Sequence, residues 1–324
     1  MRSETMKTIM VTGGRGMLGH AVEQVVGEEP RAGYRFEFVD VEDGDLTDKA
    51  ATRALFERVR PHGVIHLAAD VGGLYKNVAQ GVEMFENNLL MNMHVMQCCR
   101  EFGVEKLVSC LSTCVFPEQT LCPHITLPID ETVVHMGPPH PSNEGYAYAK
   151  RMVDVQSRYY RRQYGCNFIS LAPTNIFGPH DNYSAEHSHV IPALIRKCDE
   201  ALRGGTDFVV WGSGRPLRQF VYSPDLARLF LWAFFHYDEA DPLILAPGPE
   251  QEVSIGQIAQ HVADAFGYTK PIVFDTNYSD GQHRRTVTNR KLMSRYPEFR
   301  FTPLAEAIKA SVAWFQANRS TARL

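Results

Sequence analysis

The feature that most restricts this chain lies at its beginning. An apolar run, Thr8-Ile9-Met10-Val11, opens directly into Thr12-Gly13-Gly14-Arg15-Gly16-Met17-Leu18-Gly19, and a helical pattern follows from His20 to Val26. A strand, a glycine turn and a helix in that order point free backbone amides and the positive end of a helix dipole at one spot, which suits a diphosphate. Gly13, Gly14, Arg15, Gly16, Met17, Leu18 and Gly19 are therefore candidate cofactor-binding residues. The glycines at 13, 16 and 19 are spaced Gly-x-x-Gly-x-x-Gly, unlike the Gly-x-Gly-x-x-Gly of the commonest dinucleotide folds.

Further strands follow at intervals that leave room for helices. Arg35 to Asp40 reads as the second, with Asp45-Leu46 just beyond it, where an adenine or ribose would lie. Asp40 alone suggests hydrogen bonds to a free ribose 2′-hydroxyl, hence NAD, whereas Arg15 suits a 2′-phosphate; the reading leans to NADP(H). Val64 to Ala69 is a third strand, and its His66 reads as structural. Lys106 to Ser109 is a fourth, ending in Cys110-Leu111-Ser112-Thr113-Cys114-Val115-Phe116-Pro117. Ligands of open parallel sheets sit beyond the carboxyl ends of strands, where Ser112 and Cys114 fall. Phe168 to Ala172 is a fifth, leading into Pro173-Thr174-Asn175-Ile176-Phe177-Gly178-Pro179. The Pro- and His-rich stretch 117–143 reads as an irregular cover over the site.

After about residue 180 the alternation loosens into a mixed region with helices near 190–202, 224–237 and 304–315. The fold expected is α/β, a Rossmann-type doubly wound parallel sheet with a smaller mixed C-terminal substrate lobe. Residues 1–179 would form the cofactor domain and 180–324 mainly the substrate-binding lobe. Between Val82 and Phe102 two apolar stripes run together, so that helix is buried on two sides. Its second side meets either a partner subunit, with the 146–164 helix in a two-fold bundle and hence a homodimer, or the C-terminal lobe.

Composition excludes several functions. A net charge of -4 in 324 residues gives no basic field for nucleic acid or an anionic membrane surface. The seven cysteines lack the paired Cys-x-x-Cys spacing of a zinc site, so no metal is expected and the thiols read as reduced. Met1 to Lys7 has no apolar leader, and no apolar run approaches the roughly 20 residues that span a bilayer. A cytoplasmic protein is expected.

The chemistry is carried by Tyr146-Ala147-Tyr148-Ala149-Lys150. On a helix, positions four apart share a face, so the Tyr146 phenol and Lys150 ammonium can share a site. A cation there favours phenolate, and the phenol could then exchange a proton with a carbonyl oxygen near neutrality.

The glycine turn at 13–19, Ser112 at a strand end, Tyr146-x-x-x-Lys150, and Pro173-Thr174-Asn175 with Phe177-Gly178-Pro179 together resemble the extended short-chain dehydrogenase/reductases, whose members act mostly on nucleotide sugars. Ser112 to Pro117, Gly178-Pro179-His180-Asp181-Asn182, His189-Val190-Ile191-Pro192, Trp211-Gly212-Ser213-Gly214, Arg300-Phe301-Thr302-Pro303 and Ala313-Trp314-Phe315 narrow the resemblance to the bifunctional epimerase-reductases of GDP-4-keto-6-deoxy-D-mannose. The resemblance implies that Tyr146 protonates the developing C4 alkoxide, Ser112 hydrogen-bonds the same oxygen, and Lys150 holds the cofactor ribose. It implies Cys114 and His189 as the acid/base pair of a 3,5-epimerisation, with Cys114 favoured as base and His189 as acid. It places His189 and the run Pro173, Thr174, Asn175 and Ile176 against the cofactor, and Asn175, Lys197, Trp211, Arg218 and Asp280 against the substrate. The two cations suit a diphosphate, Trp211 offers a flat face and Asp280 an acceptor. Dehydratases of that family carry Asp-Glu after the Thr near this strand end, where this chain has Thr113-Cys114. A non-catalytic cofactor sensor would be expected to lack the Tyr or the Lys.

Overall fold

The computed structural model describes residues 6–185, 188–280 and 282–324; residues 1–5, part of the stretch read above for a leader, lie outside them. Strand β1 (Lys7–Thr12) feeds helix α1 (Met17–Glu28), β2 (Tyr34–Val39), α2 (Lys49–Val59) and β3 (Gly63–His66). A short α3 (Leu74–Ala79) and the 21-residue α4 (Gly81–Glu101) lead to β4 (Lys106–Cys110), α5 (Glu144–Tyr164) and β5 (Phe168–Pro173). The chain then leaves the sheet through β6 (Asn175–Phe177), α6 (Val190–Gly204), β7 (Val209–Trp211), β8 (Leu217–Arg218) and β9 (Phe220–Tyr222), and returns in α7 (Ser223–His236) and β10 (Leu243–Leu245). It ends with β11 (Val253–Ser254), α8 (Ile255–Phe266), β12 (Val273–Asp275), α9 (Arg290–Arg295) and α10 (Leu304–Ala317).

Six strands form one sheet in the order β10-β5-β4-β3-β1-β2, parallel throughout. Its inner strands read as largely apolar runs because both faces are covered, and successive residues go to opposite layers. Ile9, Val11, Ile65, Val108 and Ile169 pack with α1 and α7 on one face. Met10, Val64, Leu107 and Phe168 pack on the other with Phe56, Val95, Cys99 and Val153 from α2, α4 and α5. The order in which strands are added reverses between β1 and β3, so a crevice opens beyond their carboxyl ends, beside that of β4.

The expectation of a doubly wound parallel sheet is met. The segment 223–245 lies beyond residue 179, yet α7 and β10 return to the sheet layer. The cause is visible in α7: Leu226, Ala227, Leu229, Phe230, Leu231 and Ala233 are all buried, a largely apolar helix that packs against both α1 and the sheet. A third core gathers α6, α8 and α10 around Phe208, Ile258 and Phe315 as a separate lobe. Helix α4 packs mainly on α5, α2 and α3, not on that lobe, and its outer residues Phe85, Leu89 and Met93 stay partly exposed.

Candidate active site

Helix α5 places the Tyr and Lys. It starts after Asn143, runs 21 residues and ends at Gly165, whose φ of 70° is the left-handed stop that glycine adopts without strain. Lys150 is 1 % exposed and its Nζ donates to the Cys110 carbonyl at the end of β4, 2.9 Å away, while lying 5.9 Å from the Tyr146 ring centroid. Burial lowers the Lys150 pKa and pushes the Tyr146 phenol well above 10, with the Cys110 and Cys114 thiols adding to the latter. The sequence argument expected a depressed phenol; instead desolvation raises it, which favours its protonated form.

Ser112 opens a single 3-10 turn, Thr113–Val115, and its Oγ accepts the Cys114 amide at 3.2 Å. That turn sets Cys114 beside α5: its sulfur accepts from Asn143 Nδ2 at 3.1 Å and from Arg285 Nη1 at 3.4 Å. Neither partner was singled out in the sequence. Asn143 sits three residues before Tyr146, but nothing in the sequence pairs position 285 with 114.

Most of the substrate candidates come from the C-terminal part of the chain. His189 caps α6 through its backbone, and Lys197 follows two turns later. His189 is exposed, yet desolvation by the surrounding protein lowers its pKa. Lys197 Nζ lies 3.5 Å over the Trp211 ring, and Tyr278 stacks on Trp211 at 4.2 Å and 10°, necessarily on the opposite face. Both faces of the indole are therefore taken, so the flat face expected for a substrate is offered by Tyr278 or requires Lys197 to move. Burial brings Lys197 to about 8. Arg218 is fixed by the carbonyls of Leu217, at 2.8 Å, and of Gln282, and burial followed by the nearby Arg285 lowers it to about 10. Asp280 accepts from both the amide and hydroxyl of Ser213, each at 2.6 Å, which holds its carboxyl below the usual range and pins the turn at Gly212. Asn175 Nδ2 and Thr174 Oγ1 both donate to the Gln219 carbonyl, at 2.9 and 3.2 Å, so the run after Pro173 is tied to the strand bearing Arg218.

The glycine turn fits a diphosphate. Gly16 gives α1 no side-chain cap, leaving the helix start open to an anion. A Cβ on Gly13 would come within 2.9 Å of the Ala68 amide, and one on Gly19 would meet the Gly13 and Gly14 carbonyl oxygens at 2.4 Å. Close packing of turn, strand and helix thus requires bare backbone. Asp40 accepts the Arg15 amide at 2.9 Å, and the Arg15 guanidinium reaches out to Glu42 at 3.1 Å, both exposed. Asp45 is exposed and held by its own turn, accepting from Thr47 at 2.7 and 2.8 Å, while the Leu46 carbonyl is bonded to His94. His66 is structural in contact as expected: Thr12 Oγ1 and Asn92 Oδ1 take its two nitrogens at 2.7 and 3.1 Å, and burial lowers its pKa to about 3, so it stays neutral.

Comparison with known proteins gives a consistent family. The model of the NAD dependent epimerase/dehydratase family matches residues 9–248. A GDP-L-fucose synthase of Dictyostelium discoideum is 49% identical over 98% of both chains. A probable GDP-L-fucose synthase of Drosophila melanogaster is 49% identical over 98% of this chain and 100% of its own. Among solved structures, a GDP-L-fucose synthetase from Naegleria fowleri bound to NADP is 47% identical and superposes with a TM-score of 0.91, covering 98% of this chain and 96% of that one.

Proposed function

The chain belongs to the NAD dependent epimerase/dehydratase family, and from that premise we propose that it is an NADP-dependent epimerase-reductase of GDP-L-fucose biosynthesis, converting GDP-4-keto-6-deoxy-D-mannose to GDP-L-fucose. The observation that carries the reading is the meeting of Ser112, Cys114, Tyr146 and Lys150 at the carboxyl end of β4: one site holds both a phenol donor and a thiol.

Epimerisation comes first. The C4 ketone acidifies the protons on C3 and C5, so Cys114 removes one and charge moves to the C4 oxygen; His189 returns a proton from the opposite ring face. Two groups are needed because inversion demands removal and return on different faces. Ser112 donates to the C4 oxygen throughout. NADPH, when bound, supplies the hydride that reduces C4. Tyr146 gives the C4 oxygen its proton, and Lys150 holds the cofactor ribose. Gly13, Gly14, Arg15, Gly16, Met17, Leu18 and Gly19 cradle the diphosphate, with Asp45, Leu46, Pro173, Thr174, Asn175, Ile176 and His189 along the rest of the cofactor. Asn175, Lys197, Trp211, Arg218 and Asp280 hold the substrate, the cations on its diphosphate. The C-terminal lobe supplies most of the latter.

A homodimer through α4 and α5 accounts for the partly exposed apolar stripe of Phe85, Leu89 and Met93, with Tyr159 and Tyr164 exposed nearby on α5. A cytoplasmic setting fits the free cysteines and a chain in which, among the described residues, no helix is long and apolar enough to cross a membrane. The test is product identity: the chain with the 4-keto-6-deoxy-D-mannose nucleotide and NADPH should yield the L-galacto product, GDP-L-fucose. An unepimerised 6-deoxy-D-hexose would overturn the reading.

A further inference from the structure

Resting on the epimerase-reductase reading, we propose that Asn143 and Arg285 are the positioning residues of Cys114: they hold its sulfur as proton acceptor in the epimerisation and set the sugar ring against it. The sulfur accepts two N–H donors from opposite layers, Asn143 Nδ2 at 3.1 Å from the α5 side and Arg285 Nη1 at 3.4 Å from the lobe side. Two N–H donors on one sulfur fix its place and orient it between the two layers. Each partner also keeps a polar atom in reserve: Asn143 Oδ1 and Arg285 Nε are buried with no hydrogen-bond partner among the described residues. Such atoms are costly unless a ligand completes them, and a hexose ring offers hydroxyls of both polarities.

Both residues stand on fixed supports. Asn143 occupies the N-cap position of the helix that carries Tyr146, its side chain left free of any cap bond and turned to Cys114. Arg285 lies in a segment pinned on each side, Leu217 N donating to the His283 carbonyl at 3.0 Å and Val287 N to Gln219 Oε1 at 2.8 Å. The neighbouring Arg284 is bound to Glu252, Nε to Oε2 at 2.7 Å. Cys114 is thus clamped at the seam between the sheet domain and the lobe.

In the step itself the C3–H bond breaks and an S–H bond forms, the electron pair moving into the C3–C4 bond and onto the C4 oxygen. Asn143 and Arg285 neither gain nor lose a proton. On the other face an imidazolium N–H of His189 breaks and a C3–H bond forms, the pair returning from the enolate. Cys114 then releases its proton to solvent, His189 regains one, and C5 follows the same course.

The test compares two half-reactions in Arg285→Met and Asn143→Ala. Proton exchange at C3 and C5 is followed by NMR in D2O, and the redox half-reaction by NADPH formed from GDP-L-fucose and NADP+, which needs no epimerisation. Exchange should fall roughly 10- to 100-fold further than reverse oxidation does, with Arg285→Lys recovering part of it. Iodoacetamide labelling of Cys114 at fixed neutral pH, read by mass spectrometry of its peptide, should slow in Arg285→Met. A merely loosened site would expose the thiol and speed labelling, which would overturn the assignment, as would equal losses in the two half-reactions or exchange that survives in both variants. Absence of exchange in the wild-type chain would remove the functional reading and this assignment with it; exchange in the wild type that persists in the variants removes only the assignment.

Discussion

Lys150 Nζ donates to the backbone carbonyl of Cys110 at 2.9 Å, tying the helix that carries Tyr146 to the end of the strand that leads into Ser112. Tyr146, with its pKa pushed well above 10 by burial, stays protonated in the free protein. An acid whose folded pKa is raised keeps its proton at every pH below that value, so the Tyr146 phenol is available as donor across neutrality. The kcat/KM for reduction should show no descending limb from Tyr146 between about pH 6 and about pH 9, and Tyr146→Phe should lower reduction by roughly 10² to 10⁴. NADPH consumption at the wild-type rate by that variant would contradict the assignment.

Two glycines of the same helix should behave oppositely. Gly19→Ala drives a methyl into two carbonyl oxygens at 2.4 Å and should cost about 1–3 kcal/mol of stability while weakening NADPH binding. Gly27, whose added Cβ would meet nothing within 4 Å, should accept alanine with a gain of up to about 0.5–1 kcal/mol. Urea denaturation of both variants separates the two effects.

Asp181 predicts a pH dependence of stability. It is 4 % exposed, Oδ1 accepts the Asn182 amide at 2.7 Å, and burial raises its pKa from 3.8 to about 7. Between those values the folded chain keeps the proton and the unfolded chain loses it, so this group's contribution to stability falls as pH rises, by about 4 kcal/mol in all. Asp181→Asn should flatten that slope. Denaturation midpoints measured near pH 5 and pH 8 would show it, and an unchanged slope would sink the argument.

Arg15 is the residue expected to set the cofactor preference. Its guanidinium is exposed and, among the described residues, paired with Glu42 at 3.1 Å, so it can turn to a 2′-phosphate. Arg15→Ala should weaken NADPH by about tenfold more than NADH, near 1.4 kcal/mol of discrimination. Equal losses for the two cofactors would move the preference elsewhere.

The sheet was legible because each strand carries its own signal: Ile9-Met10-Val11 and Leu107-Val108 are apolar on both faces, and the glycine turn follows the first at once. Tyr146 and Lys150 were legible because four residues on one helix fix their relation. What escaped depends on contacts distant in the chain. The return of α7 and β10 to the sheet is a choice of partner that local pattern does not encode. Arg285 meets Cys114 across 171 positions, and Tyr278 covers Trp211 across 67, each through tertiary packing alone. The phenol's direction was misjudged for the same reason: proximity to Lys150 follows from spacing, whereas burial follows from the whole fold.

The central claim, that one site both epimerises and reduces, is tested most directly by NMR of the 4-keto-6-deoxy-D-mannose nucleotide incubated with the chain in D2O without NADPH. Deuterium should enter at C3 and C5 in the wild type and in Tyr146→Phe, and entry should be suppressed in Cys114→Ser. No uptake in the wild type, alongside oxidation of NADPH once it is added, would contradict the account and leave a simple ketoreductase.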